Sequence, residues 1–300
     1  MNSYTKTVGH DCRPKKVTTL IKHLSKTLIM NINKLRPVWL ASSALLLFAA
    51  CNNNDENPQP TVKKTWNVNL VAGNELTVPA GRTDSGTAVL TLYSDNSLQY
   101  QITLESLGAG DAPTASHIHS GDAVTNAPVY IPFPGAFSGN VLSGTVALTQ
   151  AQADSIQNFP MYVNVHSTQS PGGIMRGQMD KNLVFAANVA LSGANEVSPV
   201  TTTATGNAYL RLADDNTLIS KVVVSNLETN DTLLLSHVHA AAAGVNGGVI
   251  IDLCHTDADF GVTQASSITS DQATMLVNDP VYVNVHSKRH PGGIIRGQIR

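Results

Sequence analysis

The segment Tyr162-Val-Asn-Val-His166-Ser, followed by Pro171-Gly-Gly-Ile-Met-Arg176-Gly-Gln178, returns as Tyr282-Val-Asn-Val-His286-Ser and Pro291-Gly-Gly-Ile-Ile-Arg296-Gly-Gln298. Residues 162–179 and 282–299 match at 13 of 18 positions without a gap, at a constant offset of 120. The register holds back to Gly86 and Gly206, with Asp95-Asn96 answered by Asp215-Asn216. Further upstream Asn74-Glu75 pairs with Asn195-Glu196 at an offset of 121, which marks one inserted residue. A period this long is a duplicated domain and not a solenoid. Each copy has roughly 115 residues, enough for a core of its own.

Within a copy the signals are those of strands. Residues 66–71, 86–93, 97–104, 141–148, 161–166 and 174–179 are alternating, β-branched or aromatic, and Ser94-Asp-Asn-Ser97 is turn chemistry that predicts a hairpin. One helix interrupts them. Thr149 is its N-cap, the helix covers the residues up to Asn158, and Pro160 lies beyond its end. The second copy repeats this with Thr269, Asn278 and Pro280. The expected fold is all-β: two tandem antiparallel β-sandwich or barrel domains, 65–181 and 182–300, each with one short helix.

Alternation then gives direction to the histidines. In Tyr162-Val-Asn-Val-His166 the valines share one face, while Tyr162, Asn164 and His166 share the other. In His117-Ile-His119 the isoleucine goes inward and both imidazoles go outward together, about 6.5–7 Å apart along the strand. His237-Val-His239 repeats the pattern, and His166 and His286 each follow 49 residues after the first histidine of their trio. Eight histidines lie after residue 51, and six of them form these two trios. Three neutral imidazoles, open at a fourth position, suit zinc or copper. Two rivals stand beside that reading: imidazoles that hydrogen-bond loop backbone, and a non-metal ligand site.

The Pro-Gly-Gly segment is a tight turn. After it, Arg176 alternates onto one face with Gln178, and Arg296 with Gln298. A guanidinium near imidazoles would favour an anion such as a carboxylate; the competing expectation pairs Arg176 and Arg296 with Glu75 and Glu196. Asn164 and Asn284 are accordingly candidates for ligand contact or for structural hydrogen bonding. Cys254 follows the apolar run Val249-Ile-Ile-Asp-Leu253 and reads as a buried thiol.

Taken together, His-x-His, a Gly-rich apolar strand and Tyr-Val-Asn-Val-His-Ser-x-x-x-Pro-Gly-Gly-x-x-Arg-Gly-Gln resemble the chordin-type domain, CHRD, over nearly all of 66–179 and 186–300. The resemblance implies a secreted β-sandwich module without an assigned biochemical activity. A looser similarity links the His-x-His strand to copper-zinc superoxide dismutase, but the fourth copper-site histidine and the zinc loop with its aspartate are missing. No nucleophile-base pair or cofactor fingerprint is present, so a binding module is expected; a copper-dependent redox enzyme and an adhesion or scaffold module are the alternatives.

The N-terminal part carries an export signal. Lys34 and Arg36 precede the apolar run Val38-Trp-Leu-Ala-Ser-Ser-Ala-Leu-Leu-Leu-Phe48, which ends in Ala49-Ala50-Cys51. The run is shorter than the ~20 residues a spanning helix needs. Cysteine after two alanines resembles a bacterial lipobox and implies lipidation of Cys51, although Phe48 replaces the usual Leu. The expected organisation is an extension at 1–29 before a start at Met30, a lipoprotein signal peptide at 30–50 and a flexible tether at 51–64. The expected location is the bacterial cell envelope, as an outer-membrane lipoprotein facing periplasm or cell surface and held to the membrane through Cys51. From Cys51 onward 11 Lys/Arg face 20 Asp/Glu, so nucleic acid is excluded as a partner. Only Cys51 and Cys254 remain in that part, and stability must come from packing.

Overall fold

The structure is a computed structural model that describes residues 59–77 and 81–300. The extension, the signal peptide, Cys51 and most of the expected tether lie outside the described residues. The described residues fall in one compact unit.

The first domain is an antiparallel sheet of β1 (Val62–Val71), β2 (Ser85–Tyr93), β3 (Ser97–Ser106), β4 (Pro113–Ser120), β5 (Val129–Pro132), β6 (Val141–Ala147), β7 (Met161–Ser167) and β8 (Met175–Gln178), with one helix, α1 (Gln150–Asn158). The second repeats it as β9 (Leu183–Ser192), β10 (Thr205–Ala213), β11 (Thr217–Ser225), β12 (Leu233–Ala240), β13 (Gly248–Cys254), β14 (Gln264–Ser267), α2 (Ser270–Asn278), β15 (Val281–Ser287) and β16 (Ile295–Gln298). The first strand thus takes in residues 62–64, where the sequence placed the end of the tether. Short 3-10 turns at Ala72–Asn74 and Gly193–Asn195 follow β1 and β9.

The strand order is β5-β4-β7-β8-β1-β2-β3-β6 in one domain and β13-β12-β15-β16-β9-β10-β11-β14 in the other. The only register pair between β8 and β1 is Arg176 with Val71, and Arg296 meets Ser192 in the same way between β16 and β9. At these narrow joints the sheet folds back on itself, so its two halves face each other as a sandwich. Leu90, Leu98 and Ile102 from one half pack with Ile118, Val163 and Met175 from the other. The joint explains the glycine of Arg-Gly-Gln: a Cβ at Gly177 would overlap the Asn69 carbonyl oxygen, and one at Gly297 the Ala190 carbonyl oxygen.

Local chemistry placed the turns and helices. Asn96 and Asn216 take φ of 64° and 61° in the two hairpins, a conformation asparagine tolerates. Thr149 and Thr269 cap α1 and α2 with full capping boxes to Gln152 and Gln272. No helix among the described residues is long and apolar enough to cross a membrane.

Candidate metal centre

β4 and β7 are neighbours, with His117 opposite Asn164 and His119 opposite Tyr162. This register sets His166 diagonally across from His117 and brings the three rings together. Ring centroids are 5.8 Å apart for His117 and His119, 4.9 Å for His117 and His166, and 6.2 Å for His119 and His166. In the second domain His237, His239 and His286 repeat this at 5.6, 5.2 and 6.0 Å. In each trio one nitrogen per ring lies within 4.8 Å of the other two. Nitrogens bound to one zinc lie roughly 3–3.5 Å from each other, so small side-chain rotations close the set.

Backbone carbonyls fix which nitrogens meet. His119 Nδ1 lies 2.8 Å from the Ala127 carbonyl oxygen and His166 Nδ1 lies 2.9 Å from that of Pro171. A carbonyl only accepts, so Nδ1 carries the hydrogen and Nε2 of the neutral ring keeps its lone pair. The second domain does the same through Gly247 for His239 and Pro291 for His286, both at 3.0 Å. The converging atoms are therefore His237 Nδ1, His239 Nε2 and His286 Nε2, all buried and all without a hydrogen-bond partner among the described residues. In the first domain His119 Nε2 is likewise unpartnered, while His117 Nδ1 and His166 Nε2 lie 3.0 Å apart.

In the second trio three lone pairs at one point are costly in an apoprotein and suited to a cation; in the first, His117 Nδ1 donates to His166 Nε2 and gives up that hydrogen for an ion. Burial lowers the His117 pKa to about 4, and the neighbouring His166 and His119 add to the effect. Burial also lowers His119, His237, His239 and His286. In these five rings burial favours the neutral imidazole, the ligand form.

The face that alternation turned outward is roofed over. Tyr162 and Asn164 are buried in the structure, as is His119 at 7% exposure. The roof is the loop 121–128 together with the Pro-Gly-Gly turn, and Arg176 holds that loop in place. Its Nη2 donates to the carbonyls of Asp122 at 2.5 Å and Thr125 at 2.8 Å, and its Nη1 to Asn126 at 3.2 Å. Its guanidinium covers the Tyr162 ring at 3.5 Å, and His119 stacks on that ring at 4.8 Å. Arg296, Tyr282 and His239 form the same column.

This arrangement corrects two expectations about the arginines. With its guanidinium on Tyr162 and the loop carbonyls, Arg176 is not turned to the trio as an anion ligand. Nor does it make a direct ion pair with Glu75, whose Oε1 accepts from Asn164 Nδ2 at 2.8 Å. Asn284 reaches Glu196 in the same way at 3.4 Å. Asn164, Asn284, Arg176 and Arg296 sit in this supporting layer.

Burial raises the Glu75 carboxyl to about 7, against the lowering effects of Arg176, Arg211 and Asn164. Its folded state therefore holds a proton that the unfolded chain has lost, and this costs stability as pH rises from about 4.5 to 7. Glu75→Gln should consequently gain stability relative to wild type over that window, by about 3 kcal/mol at pH 8 compared with pH 4. Urea denaturation at both pH values checks this, and a pH-independent difference would refute it.

Asp252 was hidden from a reading built on the repeat. His237 Nε2 lies 3.4 Å from Asp252 Oδ1, on the ring edge away from the trio. Asp252 is the cross-strand neighbour of His237, whereas Pro132 holds that place opposite His117. Cys254 is buried, and burial pushes its thiol up to about 12, which keeps it protonated.

The family model for the CHRD domain matches residues 66–179 and 187–299. Chordin from Danio rerio is 25% identical over 246 residues, which cover 77% of this chain and 26% of that protein. The chain therefore spans about a quarter of the length of this relative. No solved structure matches it significantly.

Proposed function

The chain belongs to the CHRD family, with two tandem domains, and from that premise we propose that it is a non-enzymatic binding module whose domains each hold one zinc or copper ion. His117, His119 and His166 serve the first site, and His237, His239 and His286 the second. The observation that carries this reading is the doubled convergence of buried imidazole nitrogens, with His237 Nδ1, His239 Nε2 and His286 Nε2 all lacking a protein partner. Backbone carbonyls have already selected the tautomers a metal requires. Three ligands leave a coordination position open, through which a bound ion can join this module to a donor on another molecule.

The two sites should differ in affinity. A carboxylate behind a ligating imidazole orients the ring and raises its basicity. Only His237 has one, so the second domain should bind more tightly. Titrating zinc into the metal-free chain should give two steps, and Asp252→Asn should weaken the tighter one by about 10–100-fold. A wild-type titration with two equal sites, or with none, would overturn the assignment.

Export and lipid anchoring complete the proposal, supported by Ala49-Ala50-Cys51 behind its basic and apolar segments. Tethering through Cys51 would hold the two domains at a bacterial envelope membrane. Cys51→Ala should move the protein from the membrane to the soluble fraction on cell lysis. Unchanged membrane association would refute the anchor.

A further inference from the structure

The second domain contains an uncovered copy of a surface that, in the first domain, the protein itself covers. In the first domain the corner at Asn74 and Glu75 and the loop residues Ala123 and Val124 are all buried. What lies over them is the outer face of β9, β10 and β11. Arg211, fully buried, reaches the carbonyl oxygens of Asn74 at 3.2 Å and Glu75 at 3.1 Å with Nη2, and is braced by Asn188 Oδ1 at 2.8 Å. Asn188 Nδ2 donates to the Glu75 carbonyl at 2.8 Å. Ile219, Leu183 and Tyr209 pack on Ala123 and Val124. An arginine anchor ringed by apolar contacts is a usual composition for the core of a protein interface.

The counterparts of those covered residues are Asn195, Glu196, Ala243 and Gly244. They line a cavity of about 310 Å³ together with Arg296. Asn195, Ala243 and Gly244 are exposed, and Glu196 Oε1 is buried without a hydrogen-bond partner among the described residues. The backbone corner is the same as in the first domain: a 3-10 turn, Gly193–Asn195, leading into the glutamate.

The geometry points to a docking site on the second domain, at the Asn195-Glu196 corner and the Ala243-Gly244 loop, for a partner protein that presents an arginine from the outer face of a β-sheet. A second copy of this chain does not supply that side chain. Its Arg211 is already buried against its own first domain, and the equivalent free face on β1, β2 and β3 carries Thr91 where Arg211 stands, Val89 for Tyr209 and Gln99 for Ile219. The guanidinium is required because the corner offers carbonyl oxygens and a carboxylate, all acceptors, which a planar set of N–H donors satisfies together. This docking site stands independently of the metal reading.

The first test uses N-acetyl-arginine methylamide and its neutral isostere N-acetyl-citrulline methylamide as probes on the full chain, followed by amide chemical shifts. The arginine compound should shift residues 194–196 and 243–244, and the citrulline compound should bind at least about tenfold more weakly. Equal binding, or no shift at these residues, overturns the proposal. The second test builds the missing face into the chain itself. Thr91→Arg with Val89→Tyr and Gln99→Ile should turn a monomer into head-to-tail oligomers in sedimentation velocity, and adding Ala243→Arg should return it to monomer. Failure of the folded triple variant to associate overturns the proposal, and so does concentration-dependent association of the wild type, which would assign the site to a second copy.

Discussion

Replacing His119 and His239 together by alanine should take zinc or copper binding from two ions per chain to none, and each single replacement should remove one. The effect is expected to be complete because His119 and His239 each supply a buried, unpartnered Nε2, and the two imidazoles left behind form a much weaker site. Stability should divide the same way. In metal-free buffer the double variant loses the Nδ1 bonds to the Ala127 and Gly247 carbonyls and the stacks on Tyr162 and Tyr282, and should be less stable than the wild type by about 1–3 kcal/mol per site. In excess metal the wild type should gain about 4 kcal/mol per occupied site at a thousandfold excess over that site's Kd, and the double variant nothing. Denaturation with and without metal separates these cases. A double variant still stabilised by metal would show that other groups hold the ion.

The second large effect falls on Arg176, which touches no ion in this account. Arg176→Met should destabilise the chain by about 3 kcal/mol. Charge-assisted bonds to Asp122 and Thr125 and the stack on Tyr162 are lost together. Arg176→Lys should restore little of this, because an ammonium cannot reproduce the planar fork. The same loop carries the Ala127 carbonyl that orients His119 and the Ala123 and Val124 contacts to the second domain. The variant should therefore also lose metal affinity at the first site, while the second site keeps its own. Guanidinium denaturation with zinc titration reads both effects. Unchanged stability would mean that the loop is held by something else.

Much of this was legible in the residues. Alternation placed Ile118, Val163 and Val165 in the core and put the histidines on the opposite face, because a strand has only two faces. Thr149 and Thr269 announced the helices through capping chemistry that needs only four consecutive residues. That the imidazoles hydrogen-bond loop backbone was one of the readings the sequence offered, and four of the six do so, but the parts of the roof over them were not legible. The roof consists of irregular loops whose hydrogen bonds come from backbone carbonyls such as those of Ala127 and Pro171, and carbonyls leave no mark in residue identity. The Pro-Gly-Gly turn read as a turn, but its use does not follow from turn chemistry. It delivers the Pro171 carbonyl to His166, and a Cβ at Gly173, with φ of 130°, would press on Asn164 and Glu75. Arg211 and Asp252 escaped for a different reason. Comparing two copies highlights what they share, and these residues stand where the copies differ, with Thr91 and Pro132 as counterparts. The asymmetry between the domains, in both docking and metal support, rests on those differences.

X-ray absorption at the metal edge, on wild-type chain prepared without a histidine tag and loaded with two equivalents of zinc, tests the central claim most directly. The account predicts a first shell dominated by three imidazole nitrogens at about 2.0 Å with one oxygen donor such as water completing it. A shell of oxygen donors with one imidazole or none would contradict it.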